Sequence, residues 1–262
     1  MRDGSHYVPT EIARGGWGPS ISGHVVGGIL GWAVGQAVDD PQLQPARLTV
    51  DLPAPAALEP IEVHTRVQHE RRRLRLVEAV LIQRDAPVAR GSALFIQRGP
   101  QPDGEVWSQP VQMPRLPTEE DGTHPSLFMR TYGWGAGVQN PDLDWADTSG
   151  QKYTWLQETR PLIDGEPLTA FIRAAMAADV TAAIANWGSN ALQFINVDYT
   201  LTLSRLPEGP HIGLAPLTHY SNDGVATGSA VLLDHKGPVG SAVSVSIAHS
   251  GFRPPSADQL TR

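Results

Sequence analysis

The chain of 262 residues is long enough for one large domain or two of ordinary size. Its hydrophobic content of 40% and charged content of 18% are normal for a folded protein and exclude extended disorder. A net charge of −7 argues against nucleic acid as the main partner, because phosphate binding needs a basic face. The lack of cysteine excludes thiol nucleophiles, thiolate metal sites and disulfides.

The N-terminal sequence gives no sign of a secretory or membrane segment. Residues 1–7 lack the apolar core of a signal peptide. Residues 25–38 carry no charge, but this stretch is too short to span a bilayer and fits a buried helix better. We therefore expect no membrane span and a cytoplasmic location.

The first predicted element is an apolar helix over residues 24–34, with Ser22 as its expected N-cap. The segment is apolar on nearly every side, which indicates a helix enclosed by other structure. Its glycines are poor helix formers, so we expect them to allow another backbone to approach closely. Strand candidates follow at residues 47–52, 61–70, 74–84 and 88–97.

A segment rich in proline and polar residues, from Gly99 to about Thr123, is interpreted as a linker. The second half then repeats the order of elements. An initial strand is expected within residues 127–137, a short strand at 155–160 and an alanine-rich helix at 168–185. Four strand candidates complete the chain, at residues 194–204, 211–220, 224–234 and 239–248.

The two halves carry one hydrophobic pattern twice, about 151 residues apart. Pro87 and Pro238 occupy the same place in two similar hairpin motifs, and the same shift carries Thr49 onto Thr200. Periods of 20 to 50 residues are typical of solenoids. A period this long indicates two fused copies of one domain.

A long antiparallel sheet that curls around one apolar helix is the hot-dog architecture, so the repeat predicts an α+β double hot-dog. We expect an N-terminal module at residues 1–99, a linker at 100–123 and a C-terminal module at 124–262. An exposed sheet in each module invites pairing, so we also expect a homo-oligomer. The outer face of the last strand carries the apolar residues Val243, Val245 and Ile247, and this pattern indicates a second buried surface.

The glycine-rich segment Gly-His-Val-Val-Gly-Gly-Ile-Leu at 23–30 resembles the helix start of the acyl-CoA thioesterase II family and its actinobacterial thioesterase-like relatives. In the second half, residues 178–179, 196–198 and 205–207 resemble the second module of that family. Residues 234–239 resemble its final hairpin. The similarity covers most of the chain outside the linker.

The resemblance implies hydrolysis of fatty acyl-CoA to free acid and CoA. The family typically uses an aspartate on the second helix, a threonine on the following strand and a glutamine on the last strand. Asp179 matches the aspartate, whereas the threonine position falls near Asn196 and the glutamine position near Ser244. Both replacements keep a hydrogen-bonding group. Neither a cofactor nor a metal is implied, because CoA is part of the substrate.

The residues themselves support a role for Asp179, which is the only acid between Ala174 and Ala185. Desolvation in such a helix is expected to raise the pKa of its carboxyl group toward the range of a general base. A water held by Asp179, Asn196 and Ser244 can then attack a thioester carbonyl. The alternative is that Asp179 pairs structurally with an arginine or a backbone amide.

The repeat supplies a comparison within the chain. The counterparts of Asp179, Asn196 and Ser244, 151 residues earlier, are Gly28, Pro45 and Ala93, which carry no polar side chain. This difference favours one functional site and one inactive pseudosite.

Other candidates for substrate binding lie outside this set. Backbone N–H groups near Gly23 and His24 can donate to an oxyanion, although a histidine there more often caps the helix or lies at the solvent edge. Arg205 either contacts a substrate phosphate or closes a strand end. Asp198 is expected to face solvent or an ion pair. The basic run at 71–75 either contacts CoA or belongs to a tight turn.

Motifs for other chemistries are not found in the sequence. It contains no Gly-x-Ser-x-Gly elbow, no His-Glu-x-x-His metal motif and no glycine-rich nucleotide loop. The main alternative to an acyl-CoA thioesterase is a non-catalytic protein that binds acyl-CoA or lipid. A biosynthetic hot-dog enzyme that acts on a carrier-bound acyl group is a third possibility.

Overall fold

The computed structural model describes residues 2–3, 6–38, 40–111, 113, 115–116, 129–132 and 151–253. Its first half contains a short 3₁₀ helix at Glu11–Ala13 and the helix α1 at Gly23–Gln36. The strands of this half are β1 at Arg2–Asp3, β2 at His6–Tyr7, β3 at Leu43–Asp51, β4 at Ile61–Arg71, β5 at Leu74–Gln83 and β6 at Ala86–Gln97.

The second half contains the helix α2 at Ala170–Asn186, whose N-cap Thr169 accepts a hydrogen bond from the N–H of Ile172. Its strands are β7 at Met129–Tyr132, β8 at Tyr153–Gln157, β9 at Trp187–Gly188, β10 at Ala191–Leu192, β11 at Phe194–Asn196, β12 at Asp198–Leu203, β13 at His211–Asn222, β14 at Val225–Asp234 and β15 at Gly237–Ala248.

Thirteen of the strands in the described part of the chain form one antiparallel sheet. Its order is β1-β2-β4-β5-β6-β3-β12-β15-β14-β13-β8-β7, with β11 continuing beside β15 where β12 begins. The short pair β9 and β10 lies apart from this sheet. The two halves of the chain therefore meet edge to edge, through β3 and β12, and share one sheet.

The repeat that the sequence predicts is visible in the register of the strands. In the first half, the pairing of β5 with β6 shifts by one residue between Leu81 and Ile82. In the second half, the pairing of β14 with β15 shifts between Leu232 and Leu233, which lie 151 residues later. A β-bulge is a specific local feature, so its recurrence at the same offset supports a duplicated domain.

An approximate two-fold axis passes between β3 and β12. Thr49 pairs directly with Thr200, its own counterpart in the repeat, and their hydroxyl groups lie 3.0 Å apart. At this point β3 pairs with β12, its counterpart in the repeat. The two halves are therefore related in the same way as the two subunits of a symmetric dimer.

The two helices pack against each other on the inner side of the sheet, and glycines of α1 allow the close approach. A Cβ atom at Gly31 would lie 2.9 Å from the Cβ atom of Ala175 on α2. A Cβ atom at Gly27 would overlap the hydroxyl group of the fully buried Tyr199, which donates a 2.8 Å hydrogen bond to the carbonyl of Ala175. The predicted role of these glycines agrees with this packing.

The predicted elements of both halves are present within a few residues of their expected bounds, and β7 lies within the expected initial strand. Two expectations differ. The predicted strand at 194–204 is divided into β11 and β12, because the register shifts by one residue between Asn196 and Thr200. Ser22 occupies the N-cap position of α1, but its side chain makes no capping bond and contacts the ring of His24 instead.

The predicted linker lies partly outside the described residues, and its described part, 100–111, 113 and 115–116, contains no helix or strand. Within the single chain, Val243, Val245 and Ile247 are 38–46% exposed. The second buried surface expected there is therefore not formed by this chain's own described residues.

The close contact at Gly27 gives a test of helix packing. We expect Gly27→Ala to lower the free energy of unfolding by about 1–3 kcal/mol, because the new methyl group overlaps Tyr199. Gly35→Ala is the matched control on the same helix, because no atom lies within 4 Å of a Cβ atom there. Alanine favours helix, so this control should gain up to about 1 kcal/mol. Urea unfolding measures both, and equal stabilities would contradict the packing.

Candidate active site

Asp179 lies in the middle of α2, between the buried residues Ala178 and Val180. The residue is only partly exposed. Burial disfavours the charged form and raises the pKa of its carboxyl group to about 6, although a hydrogen bond from Asn196 acts in the opposite direction. The pKa of this carboxyl group is therefore closer to neutral pH than usual, and the group remains partly accessible to solvent.

Asn196 ends β11 and reaches the carboxylate of Asp179. Its side-chain Nδ2 donates a 2.8 Å hydrogen bond to Oδ1 of Asp179. Because the amide nitrogen donates in this bond, the amide oxygen lies on the other side of the group, where it can accept a hydrogen. The pair therefore offers a carboxylate and an amide oxygen side by side.

The start of α1 lies against the same carboxyl group. A Cβ atom at Gly23 would overlap Oδ1 of Asp179 and would lie 2.9 Å from its Cγ and Oδ2 atoms. Only glycine leaves room for the carboxyl group at this position. The first N–H groups of a helix have no acceptor within the helix, so the positive end of α1 is directed at this site.

His24 follows directly at the helix start. Its Nδ1 atom lies 2.6 Å from the hydroxyl oxygen of Ser22. Burial lowers the pKa of its imidazole to about 4, so the ring is neutral at neutral pH.

Ser244 lies on the inner face of β15 and is 1% exposed. Its hydroxyl group has no hydrogen-bond partner among the described residues, so it is not bonded to Asp179 or Asn196. The strand register instead places Ser246 directly opposite Asn196. Side chains that oppose each other on one face are about 5 Å apart at their Cβ atoms. Ser246 thus belongs to this site, and sequence reasoning missed it.

The corresponding place in the first half is filled by apolar groups. A Cβ atom at Gly28, the counterpart of Asp179, would lie 2.6 Å from Cγ of Met176 and 3.0 Å from Leu162. The counterpart of Ser246 is Phe95, which is 3% exposed and packs edge-on against Phe171. The first half therefore offers packing where the second half offers hydrogen-bonding groups.

Arg205 is engaged away from the carboxyl group of Asp179. Its guanidinium binds both carboxylate oxygens of Asp234 and donates to the carbonyl of Gly237, which ties the end of β12 to the last hairpin. This pairing holds the pKa of Asp234 far below its usual range, against the effect of burial. The substrate contact suggested for Arg205 remains a prediction.

Two other candidates also have partners within the protein. Asp198 accepts a 2.6 Å hydrogen bond from the N–H of Val245. In the basic run at 71–75, Arg75 forms a 2.5 Å ion pair with Glu70 across the β4–β5 turn. A CoA contact of this run also remains a prediction.

Glu158 is a further titratable group that sequence reasoning missed. It lines a small surface cleft together with five other residues, and burial raises the pKa of its carboxyl group to about 7. No signal in the sequence distinguishes it, because it follows a short strand in a polar segment. The other lining residues are Leu156, Arg173, Ala177, Pro210 and Ile212.

The described residues contain no group of three or more histidine, aspartate or glutamate side chains that can hold a metal ion. Within the same residues, neither helix offers an apolar run of sufficient length to cross a lipid bilayer.

Comparison with known proteins supports the resemblance found in the sequence. Residues 13–96 match the family model of the acyl-CoA thioesterase N-terminal domain, a segment that includes α1 and strands β3 to β6. The resemblance to thioesterases is therefore confirmed. Among curated proteins, no sequence matches this chain.

Solved structures with the same fold cover nearly the whole chain. The acyl-CoA thioesterase II TesB2 from Mycobacterium marinum is 17% identical, with a TM-score of 0.64, and the match covers 93% of this chain and 98% of that protein. A protein of unknown function with a hot-dog fold from Alicyclobacillus acidocaldarius is 15% identical, with a TM-score of 0.65, over 98% and 96% of the two chains. The hot-dog fold is therefore confirmed.

The raised pKa of Asp179 predicts how stability depends on pH. Because the folded state favours the protonated form, ionisation costs stability as pH rises from about 4 through about 6. We expect Asp179→Asn to be more stable than the wild type at pH 8 by about 1–3 kcal/mol, and equally stable near pH 4.

Urea unfolding at both pH values measures this difference. Asp85→Asn, on an exposed hairpin turn, controls for the loss of one charge. A stability difference between wild type and Asp179→Asn that is the same at pH 4 and pH 8 would contradict the burial of this carboxyl group.

Proposed function

We propose that the protein hydrolyses acyl-CoA thioesters to a free acid and CoA. The observation that carries this proposal is the meeting of three groups at one place: the carboxyl group of Asp179, the amide of Asn196 and the glycine start of α1 at Gly23. A base, a water-orienting group and a set of N–H donors are what thioester hydrolysis needs.

In the proposed reaction, Asp179 acts as the general base. It takes a proton from a water molecule, whose oxygen forms a bond to the thioester carbonyl carbon. The resulting tetrahedral oxyanion collapses, the carbon–sulfur bond breaks, and the CoA thiolate takes up a proton from the carboxyl group of Asp179. A pKa of about 6 suits both steps, because the group is ionised at neutral pH and returns its proton readily.

The oxyanion is proposed to lie at the start of α1. The N–H groups near Gly23 and His24 point along the helix axis, where the helix dipole favours negative charge. His24 is proposed to contact the substrate at this helix start through a neutral ring, because burial lowers the pKa of its imidazole to about 4. Ser244 is proposed as the third polar group of the site, in support of Asp179 and Asn196.

Fatty acyl-CoA is the proposed substrate class, with the acyl chain beside the two helices. Both helices present mainly apolar side chains there, and the core they build is continuous through both halves. The thioester of an acyl carrier protein has the same reacting group, so an assay with both carriers distinguishes them.

A non-catalytic acyl-CoA-binding protein is the alternative. It is favoured by the two residues that differ from the thioesterase pattern, Asn196 in place of threonine and Ser244 in place of glutamine. It is opposed by Asp179, because a binding site has no need of a buried acid that lowers stability.

Hydrolysis of a panel of acyl-CoA chain lengths tests the proposal. We expect turnover by the wild type and a fall in kcat of about 10²- to 10⁴-fold in Asp179→Asn, with little change in KM, because the variant loses its general base. Asp85→Asn should match the wild type. Tight binding of acyl-CoA without turnover by the wild type would favour the binding protein instead.

The same enzyme should show a characteristic pH profile. Because Asp179 must be ionised to accept a proton, kcat is expected to rise with pH through about 6 and then level off. Stopped-flow detection of released CoA over pH 4.5–8 measures this. A kcat that stays flat across that range would exclude Asp179 as the base.

A homo-oligomer is proposed through the exposed outer face of the second half. This face presents large apolar side chains on neighbouring strands, which are unusual on the surface of a monomer. They are Tyr220, Val225, Val243, Val245 and Ile247. Sedimentation should show Val245→Lys dissociating to a smaller species than the wild type, and a monomeric wild type would contradict the proposal.

A further inference from the structure

A group of polar side chains lies beneath the C-terminal end of α2, next to the Asp179 site. Asn186, the last residue of α2, is 5% exposed and makes two hydrogen bonds. Its Nδ2 donates to Oγ of Ser246 at 3.1 Å, and its Oδ1 lies 2.7 Å from Nδ1 of His219. Ser246 is fully buried whereas His219 is exposed, so the group runs from the inner face of the sheet to its solvent-facing edge.

The strand register explains how these side chains meet. On the inner face of the sheet, one row runs from Asn196 to Ser246 and on to Ala226, and the adjacent row runs from Ser244 through Gly228 to His219. Asn186 lies over the two rows and joins Ser246 to His219.

Gly228 makes room for this bridge. A Cβ atom at Gly228 would overlap Cβ of Ala185 and would lie 3.2 Å from Oδ1 of Asn186. The end of α2 can therefore approach the sheet only because residue 228 has no side chain.

The hydrogen bonds of this group have a fixed direction. Because Oδ1 of Asn186 can only accept, Nδ1 of His219 must carry a hydrogen. In the neutral ring, Nε2 then accepts from the hydroxyl of Ser221 at 3.1 Å. Because Nδ2 of Asn186 can only donate, Oγ of Ser246 is an acceptor in that bond. The hydroxyl hydrogen of Ser246 is thus left to donate elsewhere.

Among the described residues, the bond from Asn186 is the only hydrogen bond of the Ser246 side chain, although Ser246 is 0% exposed. Two residues away on the same face, the buried hydroxyl of Ser244 has no partner at all in the described part of the chain. Buried polar groups normally have partners. Unused hydrogen-bonding capacity opposite Asn196, the partner of Asp179, therefore points to a bound ligand.

We infer that Ser246 donates a hydrogen bond to the nucleophilic water at Asp179, and that Asn186 and His219 are positioning residues that hold Ser246 in this orientation. The inference rests on the proposed thioester hydrolysis and adds a group to its site. Asn186 and His219 do not touch the substrate. They fix which way the serine hydroxyl points.

This arrangement leaves the water in the state that attack requires. The water donates one hydrogen to the carboxylate of Asp179 and the other to Oδ1 of Asn196, and it accepts one from Ser246. One lone pair remains for the bond to the thioester carbon, while the hydrogen held by Asp179 is transferred to that carboxylate.

The first half of the chain has no equivalent group. The counterparts of Asn186, Ser244 and Ser246 in the repeat are Gly35, Ala93 and Phe95. The polar side chains beneath α2 therefore accompany Asp179 and are not a general requirement of the fold.

The test uses four variants of the intact chain with an acyl-CoA substrate. We expect Ser246→Ala and Asn186→Asp each to lower kcat roughly 10- to 100-fold, with KM changed less than about 2-fold, because one donor to the water is lost. Asn186→Asp keeps the shape and still accepts from His219, but it cannot donate to Ser246. His219→Ala should lower kcat as well, and His219→Asn, whose amide can replace Nδ1, should restore it.

Ser241→Ala is the matched control, since Ser241 lies on the same strand but on the exposed outer face. A readout independent of turnover is the ¹⁵N spectrum of His219, which should show the hydrogen on Nδ1 in the wild type. Because this measurement is made on the wild type, it does not depend on whether a variant folds.

Two results would overturn the inference: wild-type kcat in Ser246→Ala and Asn186→Asp, or a neutral His219 ring whose hydrogen lies on Nε2 and not on Nδ1. Failure of the proposed function is distinct, because it appears as a wild type that turns over no thioester. In that case the inference falls together with the hydrolysis it serves.

Discussion

The contact between the carboxyl group of Asp179 and the start of α1 is the constraint on which the rest of the site depends. Removing a carboxylate from water is unfavourable, and the raised pKa of Asp179 expresses this cost. The protein supports the group with the amide of Asn196 and the positive end of a helix. Both supports also suit a reaction in which a proton leaves water and negative charge develops on a carbonyl oxygen.

Although the domain is duplicated, the site occurs only once, because the two copies differ in their side chains. The two halves share the order of their strands, the register shift of the last hairpin and an axis between Thr49 and Thr200, so the backbone offers the same place twice. The side chains differ: Gly28 and Phe95 stand where the second half has Asp179 and Ser246. One half thus supplies the packing and the glycine start of α1, and the other supplies the groups proposed to react.

The sequence predicted the fold well, because apolar periodicity and a 151-residue repeat are properties of the chain itself. It also singled out Asp179 as a candidate, since a lone acid in an alanine-rich helix is conspicuous, and the structure places this residue beside Asn196 and Gly23. It could not identify Ser246, because the register shift between Asn196 and Thr200 decides which residue of β15 faces Asn196. A bulge of one residue leaves no clear trace in composition, and the bridge by Asn186 depends on contacts across three strands.

The most direct test of this account is a ¹³C NMR titration of the Asp179 carboxyl group, with and without a non-hydrolysable thioether analogue of an acyl-CoA. We expect the carboxyl group to titrate near pH 6 in the free protein and its titration to shift when the analogue binds beside it. A carboxyl group that titrates near its ordinary value of about 4, unaffected by the analogue, would contradict the account.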